Sequence, residues 1–384
     1  MITKLKSFVA IKAMFRGFEK FKSPKYLIVV TEVAHIENWK KEFVKCLGKE
    51  RAETVLGGVT IICYASLKKM RDTSWDIVCF DEAHHLGSDL RINILQTIKA
   101  KRVLALSATL KDDVLRVLTD TFGTFEINKI SLQSAIDKEF LPEPKIICIS
   151  LELERFKRTI TIELDYRTVK SGDKGKIQDY WSNRWKYMKN RKSYAGYLIE
   201  LFCTEKEKYD YINEQFDYWK KMYFRQQGNE RLKNMWLQWG SKRKRFLGEL
   251  KTQRALELVG KLRYSNTKFI CFCSSIEQAD YLGKPFAIHS NNSDSQKLIK
   301  EFNENKINEL FAVNMLQEGV SLSGIQKGII IQLDGVERGF VQKAGRMFRA
   351  KNPVIYIFYY KDTRDEEYLQ KAIEGINEEY IIKE

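Results

Sequence analysis

Runs of consecutive apolar residues recur through the first 130 residues of the chain, with more polar stretches between them. The runs are Tyr26–Val30, Val59–Tyr64, Asp76–Phe80 and Arg102–Leu106, and helix-like stretches such as Ile36–Leu47 separate them. Continuous apolar runs are typical of strands that are buried on both faces, as in a parallel α/β sheet. We therefore predict a doubly wound α/β domain over residues 1–130.

The last part of the chain repeats this pattern. Its apolar runs are Lys268–Cys273, Pro285–Ser290, Glu309–Val313, Gly328–Leu333 and Val354–Tyr360. The same reasoning predicts a second doubly wound, parallel-sheet α/β domain over residues 256–384. Residues 131–153 are expected to be a linker.

Residues 154–255 lack a clear strand pattern, and aromatic and basic residues interleave there. Five of the seven tryptophans fall in this segment: Trp181, Trp185, Trp219, Trp236 and Trp239. We predict a mainly helical insertion. Its rings either form an aromatic core at helical spacing or, for a minority, stack on nucleic-acid bases. The basic run that contains Lys242 and Arg243 either binds backbone phosphate or is a solvated helix end.

The composition adds a strong basic excess, with 66 Lys and Arg against 50 Asp and Glu, a net charge of +16. This excess indicates a polyanionic partner, most often nucleic acid, although a generally Lys-rich composition would also produce it. No segment approaches the roughly 20 apolar residues of a membrane span, and the N-terminus does not resemble a secretory signal. We therefore expect a soluble, cytoplasmic protein with no membrane partner.

The seven cysteines include no CxxC pair, so neither a zinc site nor a disulfide framework is expected. Cys271 and Cys273 alternate with Phe272 in an apolar run. We expect their side chains to lie on one face of a strand, as part of the core.

Two adjacent carboxylates follow the apolar run Asp76–Phe80, namely Asp81 and Glu82. Side chains at the carboxyl end of a parallel strand point into the ligand crevice. The first can hold Mg²⁺, since that ion binds few carboxylates and keeps part of its water shell. The second can orient and polarise an attacking water.

Further candidates follow along the chain. Ser107 and Thr109 come after the next strand, where their hydroxyls can hydrogen-bond the ring of His84 and relay the state of a bound nucleotide. Gln342, Arg346 and Arg349 fall on one face of a helix, since they are four and three residues apart. Guanidinium groups suit the spread negative charge of phosphoryl transfer.

These blocks are DEAH (Asp81–His84), SAT (Ser107–Thr109) and QKAGRMFR (Gln342–Arg349). In this order they resemble superfamily 2 helicases of the DEAD/DEAH type. Tyr26–Phe43 looks like motif Ia, Lys268–Leu282 like motif IV, and NMLQEGVSLSG like motif V. The resemblance covers both α/β domains, and it is closer to phage or restriction-type translocases than to remodelling enzymes.

The resemblance implies two RecA-like domains with ATP and Mg²⁺ in the cleft between them. By similarity, Asp81, Glu82, His84, Gln342, Arg346 and Arg349 would be catalytic, and Gly319 would lie near the nucleotide. The resemblance places the nucleic acid beside Thr31, Glu32, Tyr64, Ser66 and Ser274.

Such enzymes need a phosphate loop, GxxxxGK[ST], and the 384 residues contain no match. Lys6 and Ser7 stand where its last two residues would fall, with Ser7 as a possible Mg²⁺ ligand, but Leu5 replaces the second glycine. We expect a chain truncated within this loop and lacking the strand before it. The alternative is that Lys6 and Ser7 are ordinary residues of an N-terminal helix.

The predicted function is that of an ATP-dependent helicase or translocase, with DNA preferred over RNA as the predicted substrate. The predicted location is the cytoplasm, which is the host's cytoplasm if a phage encodes the protein. A degenerate relative that binds nucleic acid without ATP turnover is the alternative. A subunit whose sheet is completed by a partner chain is the third hypothesis.

Overall fold

The structure is a computed structural model, and it describes most of the chain in two compact units. The described residues are 2–87, 89–107, 110, 112–128, 130–165, 191–192, 196–313, 322–333, 337–348 and 350–384. The first unit comprises residues 1–149, 254–357 and 367–384, and the second comprises residues 150–253 and 358–366.

The first unit begins with a four-stranded parallel sheet. Its strands are β1 (Tyr26–Val30), β2 (Val59–Cys63), β3 (Ser74–Asp81) and β4 (Lys99–Leu106), in the order β2-β1-β3-β4. Five helices accompany them: α1 (Ile2–Lys20), α2 (Val33–Leu47), α3 (Lys49–Leu56), α4 (Asp89–Leu95) and α5 (Asp112–Phe122). All four strands lie on apolar runs that the sequence identified.

Both faces of this sheet are covered. Ile28 and Val30 of β1 lie in a cluster with side chains of α1, α2 and α3, including Ile11, Trp39 and Val55. Leu27 and Val29 of the same strand lie in a second cluster with side chains that include Leu67, Leu95, Val114 and Leu118. Because alternate residues of one strand enter opposite clusters, the domain is doubly wound as predicted.

A second sheet has seven strands. They are β5 (Lys145–Leu151), β9 (Phe269–Phe272), β10 (Ala287–Ile288), β11 (Glu309–Ala312), β12 (Lys327–Ile330), β13 (Val354–Tyr360) and β14 (Ile381–Lys383). The order is β10-β11-β9-β12-β13-β5-β14, with parallel pairing from β10 to β13 and between β14 and β5. The prediction of two parallel-sheet α/β domains is confirmed.

The segment predicted to be a linker, residues 131–153, contains two regular elements. They are helix α6 (Leu132–Asp137) and strand β5, which pairs with β14 inside the second sheet. The apolar run Ile146–Ile149 indicates strand β5, but polar residues surround it and no second apolar run lies next to it.

The helices around the second sheet are α9 (Thr252–Tyr264), α10 (Ile276–Gly283), α11 (Ser295–Asn303), α12 (Glu337–Met347) and α13 (Arg364–Ile373). Helix α12 lies close to β12 because Gly328 has no side chain. A Cβ at Gly328 would lie 1.5 Å from the sulfur of Met347.

Cys271 and Cys273 lie on one side of the chain at the end of β9, as predicted, with their sulfurs 3.9 Å apart. Burial raises the pKa of the Cys271 thiol well above its usual value, and Cys273 adds to the shift. Cys271 is therefore a core residue that stays protonated.

The second unit combines a small antiparallel sheet with a helical hairpin. The strands are β6 (Arg158–Asp165), β7 (Arg191–Lys192) and β8 (Gly196–Cys203), in the order β6-β8-β7. The hairpin consists of α7 (Glu205–Arg225) and α8 (Glu230–Leu250). Among the described residues of the insertion, helix predominates as predicted, but the strands were missed although RTITIELD alternates at the strand period.

Local sequence fixes where the two hairpin helices begin. Thr204 and Glu207 form a reciprocal capping box at the start of α7, and the Asn229 side chain accepts hydrogen bonds at the start of α8. Tyr209, Tyr211, Trp239, Phe246 and Leu247 form a buried aromatic and aliphatic cluster. Trp239 is therefore a core ring, whereas Trp181 and Trp185 lie outside the described residues.

Within the part of the chain that the structure describes, no helix combines the length and apolar character needed to cross a membrane.

Candidate nucleotide site and nucleic-acid surface

The turn after β3 carries the two predicted carboxylates. Asp81 is the last residue of β3, and Glu82 adopts left-handed backbone angles, φ 51° and ψ 53°. A 3-10 turn, Ala83–Leu86, follows at once. A positive φ is uncommon for a residue other than glycine and is found repeatedly at functional sites. This bend brings the Glu82 carboxylate back toward His84, with 3.3 Å between Oε2 and Nδ1.

Asp81 is held by two aromatic residues. One of its carboxylate oxygens, Oδ2, accepts a hydrogen bond of 2.9 Å from the indole Nε1 of Trp39. Its backbone carbonyl accepts a hydrogen bond of 2.8 Å from the hydroxyl of Tyr64. The position of Asp81 is therefore fixed at both its side chain and its main chain.

His84 connects the carboxylate turn to the end of β4. Its Nδ1 lies 3.1 Å from the Oγ of Ser107, the residue that follows the strand. The predicted hydrogen bond between His84 and Ser107 is confirmed. The relay role of this contact stays a prediction, and Thr109 lies outside the described residues.

The donor chemistry of this cluster suits magnesium. Asp81 and Glu82 supply hard carboxylate oxygens at the carboxyl edge of a parallel sheet. Mg²⁺ is commonly bound by one or two carboxylates together with substrate phosphates and water, rather than by a complete protein cage. Two adjacent acids are therefore a sufficient protein contribution.

Ser7 is not placed as a phosphate loop would place it. It lies inside α1, five residues after Ile2, and its hydroxyl is 3.3 Å from Oε2 of Glu42, to which it donates. In a phosphate loop this residue stands at the start of the helix, where backbone N–H groups are available to an anion. This placement agrees with the alternative of an ordinary helix residue, and the nucleotide and Mg²⁺ contacts of Ser7 stay predictions. Lys6 belongs to the same helix, and its nucleotide-binding role stays a prediction.

Helix α12 carries part of the predicted arginine set. Gln342 and Arg346 are four residues apart in this helix, as predicted. Arg349 and Gly319 lie outside the described residues. That Arg346 and Arg349 meet the carboxylates at one triphosphate stays a prediction.

Tyr64 is not available to nucleic acid, contrary to the expectation from the resemblance. Its side chain is buried, its hydroxyl is bonded to Asp81, and the Arg91 guanidinium lies 5.3 Å from the ring centroid. Burial raises the pKa of Tyr64 well above its usual value, and the Asp81 carboxylate adds to the shift. Tyr64 supports the carboxylate turn instead.

Other predicted nucleic-acid residues lie at element ends. The Thr31 hydroxyl is 2.8 Å from Nδ1 of His35 at the start of α2, and Glu32 is exposed as the residue that caps this helix. Ser66 is half-buried, and the Ser274 hydroxyl donates to Oε1 of Gln278 over 2.9 Å. Their contacts with nucleic acid stay predictions.

Arg243 is a structural residue, so its predicted role in nucleic-acid binding is wrong. It is 2% exposed, its guanidinium donates to Oδ1 of Asn213 over 2.6 Å, and it lies 4.1 Å from the Phe216 ring centroid. It joins the two helices of the hairpin. The Nζ of Lys242 is 4.8 Å from the Trp239 ring centroid, and the role of Lys242 in nucleic-acid binding stays a prediction.

Residues 218–245, from the end of α7 through most of α8, are strongly basic. Their only acid is Glu230, against nine basic residues: Lys220, Lys221, Arg225, Arg231, Lys233, Lys242, Arg243, Lys244 and Arg245. Tyr218, Phe224 and Leu237 are about half exposed, at 53%, 53% and 51%. Base-stacking platforms combine positive charge with accessible rings in this way. That a minority of the rings in the insertion stack on bases stays a prediction, and Tyr218 and Phe224 are accessible candidates.

Two protein-family models match the chain. The model described as type III restriction enzyme, res subunit, matches residues 6–112. The model described as helicase conserved C-terminal domain matches residues 250–351. Each match falls on one of the two parallel sheets. A curated relative, the DNA 3'-5' translocase XPB2 of Sulfurisphaera tokodaii, is 23% identical over 342 residues, which cover 85% of this chain and 69% of the relative.

Solved helicase structures share the fold. The helicase domain of Pyrococcus furiosus Hef aligns with a TM-score of 0.51 at 13% identity, covering 96% of this chain and 93% of that one. Mss116p bound to ssRNA and AMP-PNP aligns with a TM-score of 0.50 at 14% identity, covering 99% of this chain and 68% of that one. Both similarities support the RecA-like architecture of the two sheets.

Proposed function

We propose that this chain, a member of the superfamily 2 helicases, uses ATP and Mg²⁺ to move along DNA. The observation that carries the proposal is the cluster after β3. There Asp81, Glu82 and His84 stand together at the carboxyl edge of a parallel sheet, and His84 is bonded to Ser107 at the end of the neighbouring strand. This is the crevice in which open α/β sheets bind ligands.

Each residue of the cluster has a distinct task in hydrolysis. Asp81 would hold Mg²⁺, which neutralises charge on the phosphates when bound. Glu82 orients and polarises the attacking water. His84 contacts both the Glu82 carboxylate and Ser107, so it would transmit a change at that carboxylate to the segment after β4. Arg346 and Arg349 would neutralise the transferred phosphoryl group, and Gln342 precedes Arg346 by four residues in α12.

The hairpin supplies a surface for the polyanion. In residues 218–245, eight basic residues other than the buried Arg243, against one acid, attract the phosphodiester backbone, and the exposed rings of Tyr218 and Phe224 offer stacking partners to bases. DNA is favoured over RNA because the curated relative is a DNA translocase. We place the activity in the cytoplasm, or in that of the host if the gene is carried by a phage.

ATP hydrolysis with and without DNA tests the proposal. We expect DNA to stimulate hydrolysis, and Glu82→Gln to abolish it while nucleotide binding remains. Glu37→Gln is the matched control, because Glu37 is an exposed carboxylate on α2 that pairs with Lys40. Full turnover by Glu82→Gln would show that Glu82 does not activate water.

The second candidate function is nucleic-acid binding without ATP turnover. The placement of Ser7 inside α1, with its hydroxyl donating to Glu42, supports it, because a phosphate loop would place this residue at the start of the helix. This candidate predicts DNA binding that weakens steeply with salt and does not respond to ATP. A nucleotide titration separates the two functions, and sedimentation with candidate partners tests whether a second subunit restores ATP binding.

A further inference from the structure

Trp39 makes a specific polar contact with the predicted magnesium ligand. It lies in the second turn of α2 and is 4% exposed. Its ring packs near Phe43, with 6.4 Å between centroids, and its Nε1 donates to Oδ2 of Asp81 over 2.9 Å. The indole has one N–H, so its only donor is directed at this carboxylate.

This contact has an orienting effect on Asp81. The backbone of Asp81 is already fixed by β3 and by the Tyr64 hydroxyl, so the remaining freedom is the rotation of its side chain. A hydrogen bond to one carboxylate oxygen restricts that rotation, and a charge-assisted bond does so more strongly than a neutral one. The direction in which Asp81 presents its oxygens therefore depends on the position of α2.

Helix α2 also begins at the predicted nucleic-acid end of the site. Thr31 and Glu32 immediately precede it, and Thr31 is bonded to His35 in its first turn. Trp39 follows Val33 by six residues, which is about 9 Å along the helix. A displacement of the start of α2 would reach Trp39, and with it the Asp81 carboxylate, through a single rigid element.

We propose that Trp39 is a positioning residue that sets the orientation of the Asp81 carboxylate toward Mg²⁺ and couples it to nucleic-acid binding at the start of α2. The inference rests on the proposed function of Asp81. It assigns to Trp39 no contact with substrate, since the indole acts only through the carboxylate.

The test uses Trp39→Phe in the full chain, which keeps an aromatic ring beside Phe43 and removes the N–H. Two quantities are measured with and without DNA: the Mg²⁺ concentration that half-saturates ATP hydrolysis, and the Mg²⁺ dependence of AMP-PNP binding by calorimetry. Loss of a residue that orients a metal ligand costs about 10- to 100-fold in metal affinity. We expect a rise of about tenfold in both half-saturating concentrations, with turnover at saturating Mg²⁺ largely retained.

Trp75→Phe is the matched control. Trp75 is a half-buried tryptophan of β3, and its Nε1 donates to the Thr73 hydroxyl over 2.8 Å rather than to a carboxylate. The control should leave the Mg²⁺ dependence unchanged. A merely structural role for Trp39 would lower thermal stability and turnover without moving either half-saturating concentration.

The proposed coupling between DNA binding and Mg²⁺ binding is tested by a separate measurement. In the wild type, DNA should shift the half-saturating Mg²⁺ concentration, and Trp39→Phe should remove that shift. An unchanged Mg²⁺ dependence in Trp39→Phe, while Glu82→Gln abolishes hydrolysis, would overturn the role of Trp39 and leave the proposed function intact. Absence of any Mg²⁺-dependent AMP-PNP binding in the wild type would overturn both.

Discussion

A fully buried ion pair anchors the base of the helical hairpin. Lys251 directly follows α8 and is 0% exposed, and Asp365 lies in the first turn of α13 at 1% exposed. The Nζ and Oδ2 atoms are 2.5 Å apart, and the Tyr360 ring centroid lies 5.9 Å from Nζ. Burial lowers the pKa of Lys251, and the Asp365 carboxylate partly opposes this effect.

Lys251→Met removes one charge and leaves the Asp365 carboxylate in a dry environment. Breaking a buried pair on one side costs about 3–5 kcal/mol, because the remaining charge is uncompensated. Adding Asp365→Asn removes that charge as well, so the double variant should be more stable than Lys251→Met alone. The coupling between the two positions should reach about 1–3 kcal/mol, as for directly contacting groups.

Hydrogen exchange is the suitable assay, since a chain of two units does not unfold in a single transition. Protection of the amides of α8 and of α13 should fall in Lys251→Met and recover partly in the double variant. A loss of less than about 1 kcal/mol of protection in Lys251→Met would refute the reasoning. A double variant no better protected than Lys251→Met would refute it equally.

Three further outcomes test other contacts. Tyr64→Phe removes the hydrogen bond to Asp81 and should cost about 0.5–1.5 kcal/mol in unfolding experiments without changing DNA affinity. Gly328→Ala places a Cβ against the sulfur of Met347 and should destabilise α12 by about 1–3 kcal/mol, with partial rescue by Met347→Ala, read by hydrogen exchange. Burial lowers the pKa of Lys208 from 10.5 to about 8, so the folded protein gains stability as pH rises through that window. Lys208→Met should therefore raise the unfolding temperature more below pH 8 than above pH 10.5, as calorimetry at both ends would show.

The two parallel sheets could be predicted because their strands are covered on both faces. Tyr26–Val30 is buried at every position, and a strand that is buried on both faces has an unbroken apolar sequence. Arg158–Asp165 is different, because it pairs only antiparallel and its sequence alternates polar and apolar residues. In a segment dominated by aromatic and basic residues, an alternation of eight residues is a weak signal for a strand. Strand β5 was missed for another reason: its partner β14 lies more than 200 residues later, and a single apolar run does not identify a distant partner.

The candidate site could be predicted as far as strand ends define it. Asp81, Glu82 and Ser107 follow apolar runs directly, and the carboxyl ends of neighbouring parallel strands meet at one edge, so their proximity is a property of topology. Trp39 lies on a helix. Which of its side chains reaches that edge depends on how the helix packs on the sheet, and the sequence does not determine that packing. Tyr64 shows the same limit, because it is predicted to contact nucleic acid but is buried, with its hydroxyl bonded to Asp81.

Lys242 and Arg243 show how packing divides a basic run into different roles. Successive residues on a helix differ by 100° in direction, so a run of four cations must place some of them on the face that meets a neighbouring helix. In α8 that residue is Arg243, whose charge is satisfied by Asn213 and the Phe216 ring of α7. Its neighbour Lys242 is less buried and rests on the Trp239 ring. The buried guanidinium holds the hairpin together, whereas Lys242 and the rings of Tyr218 and Phe224 are accessible at the surface. The accessible cation Lys242 and the buried cation Arg243 are therefore adjacent in the sequence. Only the packing of α7 against α8 distinguishes them.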